Sequence, residues 1–156
     1  MPIATGSKAP AFKLYNTERK EISSDDFAGK IVVLSFFPAA FTRVCTEQVC
    51  SSQDDLAFYN NLGAVVFGIS VDMPFSLKIF KEKYNLSYEL LSDFNKRTIH
   101  DYDMYQCNFI CGLKGVAKRG VVVIDKNGMI AYAEETANSG TQVNFAALKE
   151  ALEKLN

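Results

Sequence analysis

The sequence predicts an α/β protein, with a central mixed β-sheet, helices on both faces and an N-terminal β-hairpin. Two continuous apolar runs, 31–37 and 64–71, are each followed by a segment with helical apolar spacing, the alternation expected of parallel neighbours in a sheet. Asn127-Gly128 separates two further apolar runs and predicts a tight antiparallel turn. With 156 residues, 48% of them hydrophobic, the chain can close one core, and a single domain over residues 1–156 is expected.

Taken in order, residues 11–15 and 21–22 flank the polar stretch 16–20 and read as the first hairpin. The run 31–37 has no polar alternation and therefore no face to give to water, so it reads as a strand covered on both sides. Pro38 ends it, having no N–H to contribute to a ladder. Val49, Leu56, Ala57 and Tyr59 predict a helix over 47–60, starting close to Thr42–Cys45 and ending near Gly63. The second buried strand, 64–71, leads to a helix over 74–84 through Phe75, Leu77, Ile79 and Phe80. A short strand at 89–92, a helix over 95–105 and a glycine-containing loop at 111–115 follow. Strands 120–125 and 129–133 meet at Asn127-Gly128, which is expected to supply the positive φ angles. A terminal helix over 143–155 presents Phe145, Leu148, Leu152 and Leu155 on one face.

Composition removes several function classes. Lys and Arg number 17 against 18 Asp and Glu, a net charge of -1, without the basic excess of a protein that tracks a nucleic-acid backbone. No apolar run approaches the about 20 residues of a membrane helix. Met1-Pro2-Ile3-Ala4-Thr5 has none of the sections of a secretory signal, so the cytoplasm is the expected compartment. In a reducing compartment, four cysteines in a chain with its own core point to catalysis, metal binding or burial.

Residues 37–50, FPAAFTRVCTEQVC, join a buried strand to a helix, which places Cys45 near a helix N-terminus. Orphan N–H groups and the helix dipole there favour an anion, and a thiolate is one. Thr42 can bring its hydroxyl to the sulfur or to an oxygen bound beside it, and Phe37 and Phe41 can wall off water. Attack by such a thiolate on an O–O bond releases alkoxide or hydroxide and leaves a sulfenic acid. A guanidinium and fixed N–H donors would stabilise the charge moving along that bond, with no metal required.

Pro38, Thr42 and Cys45 match the Pro-x-x-x-Thr-x-x-Cys motif of the peroxiredoxins, and the chain resembles that family over nearly its whole length. The resemblance implies a thioredoxin-like fold, Cys45 as peroxidatic nucleophile, a Thr42 hydroxyl bonded to the peroxide and Pro38 as a shield against water. Gln48 falls where the family often has Glu, Gln or His. The segment 118–125 is similar to the family's second signature and implies that Arg119 stabilises the thiolate and the peroxide. Cys45-x4-Cys50 is similar to the PrxQ or bacterioferritin-comigratory group, which makes Cys50 the resolving thiol. Segments 72–75, 91–94 and 112–119 look like the bacterial thiol peroxidase group, whose resolving cysteine would follow Phe80, where this chain has Lys81. In an intact helix Cys45 and Cys50 would have Cα atoms roughly 8–9 Å apart. A disulfide tolerates at most about 7 Å. Closing that bond therefore requires unwinding around residues 42–52. The implied substrates are hydrogen peroxide and small alkyl hydroperoxides, the implied reductant is thioredoxin or a similar dithiol protein, and no organic cofactor is implied. Monomer and homodimer both stay open.

Alternatives remain for several residues. Cys107 or Cys111 could resolve Cys45, the two could form a relay disulfide, or they could be buried thiols. Arg43 could serve the site or face solvent. His100, the only histidine, reads as a solvated helix residue. A four-thiolate zinc site formed by Cys45, Cys50, Cys107 and Cys111 would define a zinc-stabilised interaction module, although zinc-site spacings are usually tighter. The other alternative is a peroxide-sensing, redox-switched binding protein.

Overall fold

Ile31, Val33, Phe37 and Cys45 lie in one buried cluster, while Val32, Leu34 and Phe36 lie in another. This is the signature of a central strand whose successive side chains enter opposite cores. The structure, a computed structural model, describes residues 2–155. In chain order its elements are β1 (Lys13–Asn16), β2 (Glu21–Ser23), β3 (Ile31–Phe36), α1 (Arg43–Asp54), α2 (Leu56–Asn61), β4 (Ala64–Ser70) and α3 (Pro74–Lys83). There follow β5 (Glu89–Ser92), α4 (Arg97–Asp101), β6 (Tyr105–Asn108), β7 (Lys114–Ala117), β8 (Gly120–Ile124), β9 (Ile130–Glu135) and α5 (Phe145–Glu153). Seven strands form one sheet in the order β2-β1-β5-β4-β3-β8-β9. β3, β4 and β5 run parallel, and β1, β2, β8 and β9 join through antiparallel pairings, so the sheet is mixed as predicted. One face is covered through Val49, Tyr59, Leu77, Phe80, Leu148 and Leu152 of α1, α2, α3 and α5. The other takes Ile99 of α4 together with Phe12, Tyr102, Met104 and Ala117. No helix among the described residues is long and apolar enough to cross a membrane.

Four local expectations are corrected. The helix expected over 47–60 is two helices, because Asp55 leaves helical geometry at φ -94, ψ 7, with its carboxylate 3.0 Å from Lys149 of α5. The helix expected over 95–105 spans only α4, bracketed by Lys96 at φ 66 and Asp103 at φ 56. The loop beyond it is part of a small hairpin, in which Tyr105 pairs with Ala117 and Asn108 with Lys114. Its strands, YQCN and KGVA, lack apolar alternation, so periodicity could not show them. At Asn127-Gly128 only Gly128 has positive φ, at 78. Asp125 Oδ1 accepts from the N–H groups of Asn127 at 2.9 Å and Met129 at 3.0 Å, which builds a longer connection than a two-residue turn.

The sheet register prepares the site. Phe36 at the end of β3 lies opposite Gly120 at the start of β8, so residue 119 stands beside the turn that follows β3. A Cβ on Gly120 would collide with the Glu134 carbonyl oxygen of β9 and would come within 2.9 Å of Met104 Cε. Backbone cannot give way as a flexible side chain can. Gly120→Ala is therefore expected to lower stability by about 1–3 kcal/mol, read as a fall in the denaturation midpoint at constant m-value. An unchanged midpoint would show that β8 and β9 separate without cost.

Candidate active site

The turn between β3 and α1 is held from outside its own sequence. Asp72, just beyond β4, accepts at Oδ2 from the Ala40 N–H at 2.9 Å and from the Ser70 hydroxyl at 2.7 Å. The next residue, Phe41, sits in the left-handed region at φ 68, a costly conformation for a bulky side chain. Its ring packs on Phe80 of α3, with centroids 5.0 Å apart. Pro38 is buried, Phe37 is fully buried and Phe41 is half exposed, so the expected apolar wall is closed on one side and open on the other.

Thr42 is the N-cap of α1, and its carbonyl accepts the first helical bond, from the Thr46 N–H at 2.9 Å. Cys45 therefore lies in the first turn, where backbone N–H groups have no acceptor within the helix. Thr42 Oγ1 donates to the Ala39 carbonyl at 2.7 Å and not to the sulfur. Arg43 points to solvent, 3.4 Å from Glu47, which settles the choice left open for it.

Cys45 has no exposed surface, and Arg119 is only 3% exposed. Arg119 Nη1 donates to Cys45 Sγ at 3.2 Å and to Gln48 Oε1 at 2.8 Å, and Nη2 donates to the Ser139 carbonyl at 2.6 Å. Gln48 is fixed in turn, since Nε2 donates to Ser35 Oγ at 2.8 Å and to the Phe36 carbonyl at 3.0 Å. A chain of bonds thus runs from β3 through Gln48 and the guanidinium to the sulfur. Arg119 Nε is buried without a partner. Among the described residues no ion pair joins Arg119 to a carboxylate; its guanidinium meets the Cys45 sulfur, the Gln48 amide oxygen and the Ser139 carbonyl.

Cys50 is half-buried on the same helix, and burial, reinforced by the Asp54 carboxylate, pushes its thiol above the usual range. Cys45 and Cys50 lie on one continuous helix, both as free thiols. Cys107 and Cys111 are exposed on the β6–β7 hairpin, which removes the reading of them as buried thiols. His100 is exposed and stacks on Tyr105 at 4.1 Å. No three His, Cys, Asp or Glu side chains among the described residues are grouped so as to hold a metal ion.

Of the residues the sequence nominates, Cys45, Thr42, Pro38 and Arg119 come together at one end of the sheet, and Cys50 lies further along α1. Gln48, marked in the sequence by its place in the family pattern, supports them from three residues beyond Cys45, the spacing that puts two side chains on one helix face. Two further supports lie outside the motif. Asp72 follows the carboxyl end of a parallel strand, where α/β sites gather. Ser139 contributes a backbone carbonyl, for which no sequence signal exists.

The AhpC/TSA family pattern matches residues 5–133. The chain is 38% identical over 128 residues to the chloroplastic peroxiredoxin Q of Suaeda salsa, an alignment covering 82% of this chain and 58% of that protein. The chain thus spans under three fifths of that relative. Among solved structures it is similar to peroxidoxin BcpB of Mycobacterium tuberculosis, with 25% identity, a TM-score of 0.83, and coverage of 98% of this chain and 96% of that one. A peroxiredoxin-like protein of Aquifex aeolicus shares the fold at a TM-score of 0.90 with 24% identity, over 99% of this chain and 88% of that one.

Proposed function

The chain belongs to the AhpC/TSA family of peroxiredoxins, and from that membership we propose that it is a thiol peroxidase that reduces hydrogen peroxide and small alkyl hydroperoxides through Cys45. The observation that carries the reading is the buried contact between Arg119 and Cys45 Sγ, held by Gln48. The Cys45 thiolate attacks one peroxide oxygen, the O–O bond breaks, and the other oxygen leaves as alkoxide or hydroxide and takes up a proton. Cys45 becomes a sulfenic acid. Arg119 and the orphan N–H groups of the first helical turn offer donors to the two oxygens as charge moves between them. Thr42 would release Ala39 and turn its hydroxyl to the peroxide, while Pro38 and Phe37 keep the pocket dry.

In the second half-reaction the Cys50 thiol condenses with the sulfenic acid, releasing water and forming a Cys45–Cys50 disulfide. A dithiol protein of the thioredoxin kind reopens it by exchange. Because both cysteines lie on one continuous helix, this step requires α1 to unwind.

The test treats reduced protein with one equivalent of hydrogen peroxide, traps free thiols within seconds and maps disulfides by peptide mass. A Cys45–Cys50 bond is expected. Cys50→Ser should keep the first oxidation at the wild-type rate, accumulate sulfenic acid and lose most of its turnover with thioredoxin. A bond from Cys45 to Cys107 or Cys111 would replace Cys50 as resolver, and a Cys45 left as thiol would sink the peroxidase reading.

A further inference from the structure

Residues 87 and 88, immediately before β5, grip α1 on either side of Cys50, at Val49 and Gln53. Tyr88, 5% exposed, donates its hydroxyl to the Val49 carbonyl at 2.8 Å. One turn further along, Gln53 Nε2 donates to Ser87 Oγ at 2.6 Å, and the Ser87 N–H donates to Gln53 Oε1 at 2.8 Å. Val49 and Gln53 are four residues apart, so these three bonds line one side of the helix. The amino end of α1 is held separately, by Gln142 Nε2 on the Val44 carbonyl at 3.1 Å and by Arg119 on Gln48. The helix is thus fastened at both ends of the Cys45–Cys50 segment.

We propose that Tyr88 is a positioning residue whose hydroxyl, by holding the Val49 carbonyl, sets how often α1 unwinds and so divides the Cys45 sulfenic acid between disulfide formation and further oxidation. The inference rests on Cys50 being the resolving thiol. Val49 lies between the two cysteines, and its carbonyl must move for them to meet. Two reactions compete for the sulfenic acid. In one, Cys45–SOH and HS–Cys50 give the disulfide and water. In the other, a second hydroperoxide transfers an oxygen, giving Cys45–SO₂H and the alcohol or water. The folded helix favours the second, because it keeps Cys45 against Arg119 and Cys50 out of reach. Burial, and after it the Asp54 carboxylate, also push the Cys50 thiol above its ordinary range in the folded helix.

Tyr88→Phe removes one hydroxyl and leaves the ring, and the Val49 carbonyl keeps its bond within the helix. The loss of the bond to Val49, and with it of the Ser52 side-chain interaction at the same hydroxyl, is expected to raise the unwound population, and with it the rate of disulfide formation, about threefold to tenfold. The sulfinic fraction at a given peroxide concentration should fall correspondingly. Intact-mass analysis across a peroxide series reads both products. In a Cys50→Ser background, the Tyr88→Phe change should leave the rate of sulfinic acid formation unaltered, because no resolution competes. A purely structural role for Tyr88 would not produce that dependence on Cys50. Gln53→Ala, which removes the neighbouring bonds, should shift the partition in the same direction, and it serves if Tyr88→Phe folds poorly. Equal partition in wild type and both variants would overturn the proposal, as would an equal change in the Cys50→Ser background. If wild type forms no Cys45–Cys50 disulfide, the resolving assignment fails and the proposal fails with it. A disulfide that forms at the same rate in all three proteins defeats the proposal alone.

Discussion

Cys45→Ser is expected to lose peroxidase activity by about 10⁴-fold or more, the scale on which removal of an attacking nucleophile acts, with little change in fold. The hydroxyl replacing the thiol is smaller, is not ionised near neutral pH and is a poor nucleophile towards an O–O bond. Stability should change little. A serine oxygen at this fully buried position can still accept from Arg119 Nη1, so the substitution leaves no new unpaired polar atom beside the guanidinium. Peroxide consumption coupled to thioredoxin oxidation, measured beside a thermal melt, separates the two effects. Activity persisting in a well-folded Cys45→Ser protein would move the nucleophile to Cys50, Cys107 or Cys111. A serine protein that no longer folds would show that the sulfur contributes to packing as well as chemistry.

The parts of this fold that were legible in the sequence are those in which burial is written into a repeating pattern. The run 31–37 announced β3 because both its faces are apolar, and the Gly120-containing run announced β8 for the same reason. The β6–β7 hairpin was invisible because Gln106, Cys107 and Asn108 carry no alternation, and its pairing is fixed by backbone bonds such as the Phe109 N–H to Leu113 carbonyl, 2.9 Å. The break at Asp55 was hidden for a related reason. Apolar spacing continues through it from Val49 to Tyr59, while the carboxylate at the break meets Lys149 of a helix nearly a hundred residues later. The site divides in the same way. Cys45, Thr42 and Pro38 are close in sequence and form a motif. The groups that position them, Asp72 on Ala40 and Gln48 on Arg119, act through contacts that only the assembled sheet creates.

Arg119→Lys is expected to slow the reaction of Cys45 with hydrogen peroxide by about 10²–10³-fold, the cost of losing a fixed donor at an atom where charge develops. Lysine keeps the positive charge, so a large loss would show that geometry matters as much as charge. The guanidinium meets three acceptors in different directions at once: Cys45 Sγ at 3.2 Å, Gln48 Oε1 at 2.8 Å and the Ser139 carbonyl at 2.6 Å. An ammonium is a compact point charge on a flexible stem, without the planar fork that holds those directions together. Arg119→Met should be worse in both rate and stability, because it leaves Gln48 Oε1 and the Ser139 carbonyl without the donor they now face. The two variants therefore separate charge from shape. If charge alone mattered, Arg119→Lys would react at nearly the wild-type rate and only Arg119→Met would fail. If the fork matters, both fail, and Arg119→Lys should also alkylate more slowly at Cys45 with iodoacetamide, because the sulfur has lost its fixed donor. Single-turnover mixing with hydrogen peroxide at several concentrations gives the second-order rate constant directly, free of the later disulfide step. A wild-type constant for Arg119→Met would remove Arg119 from the chemistry and leave it a buried prop for the segment that carries Ser139.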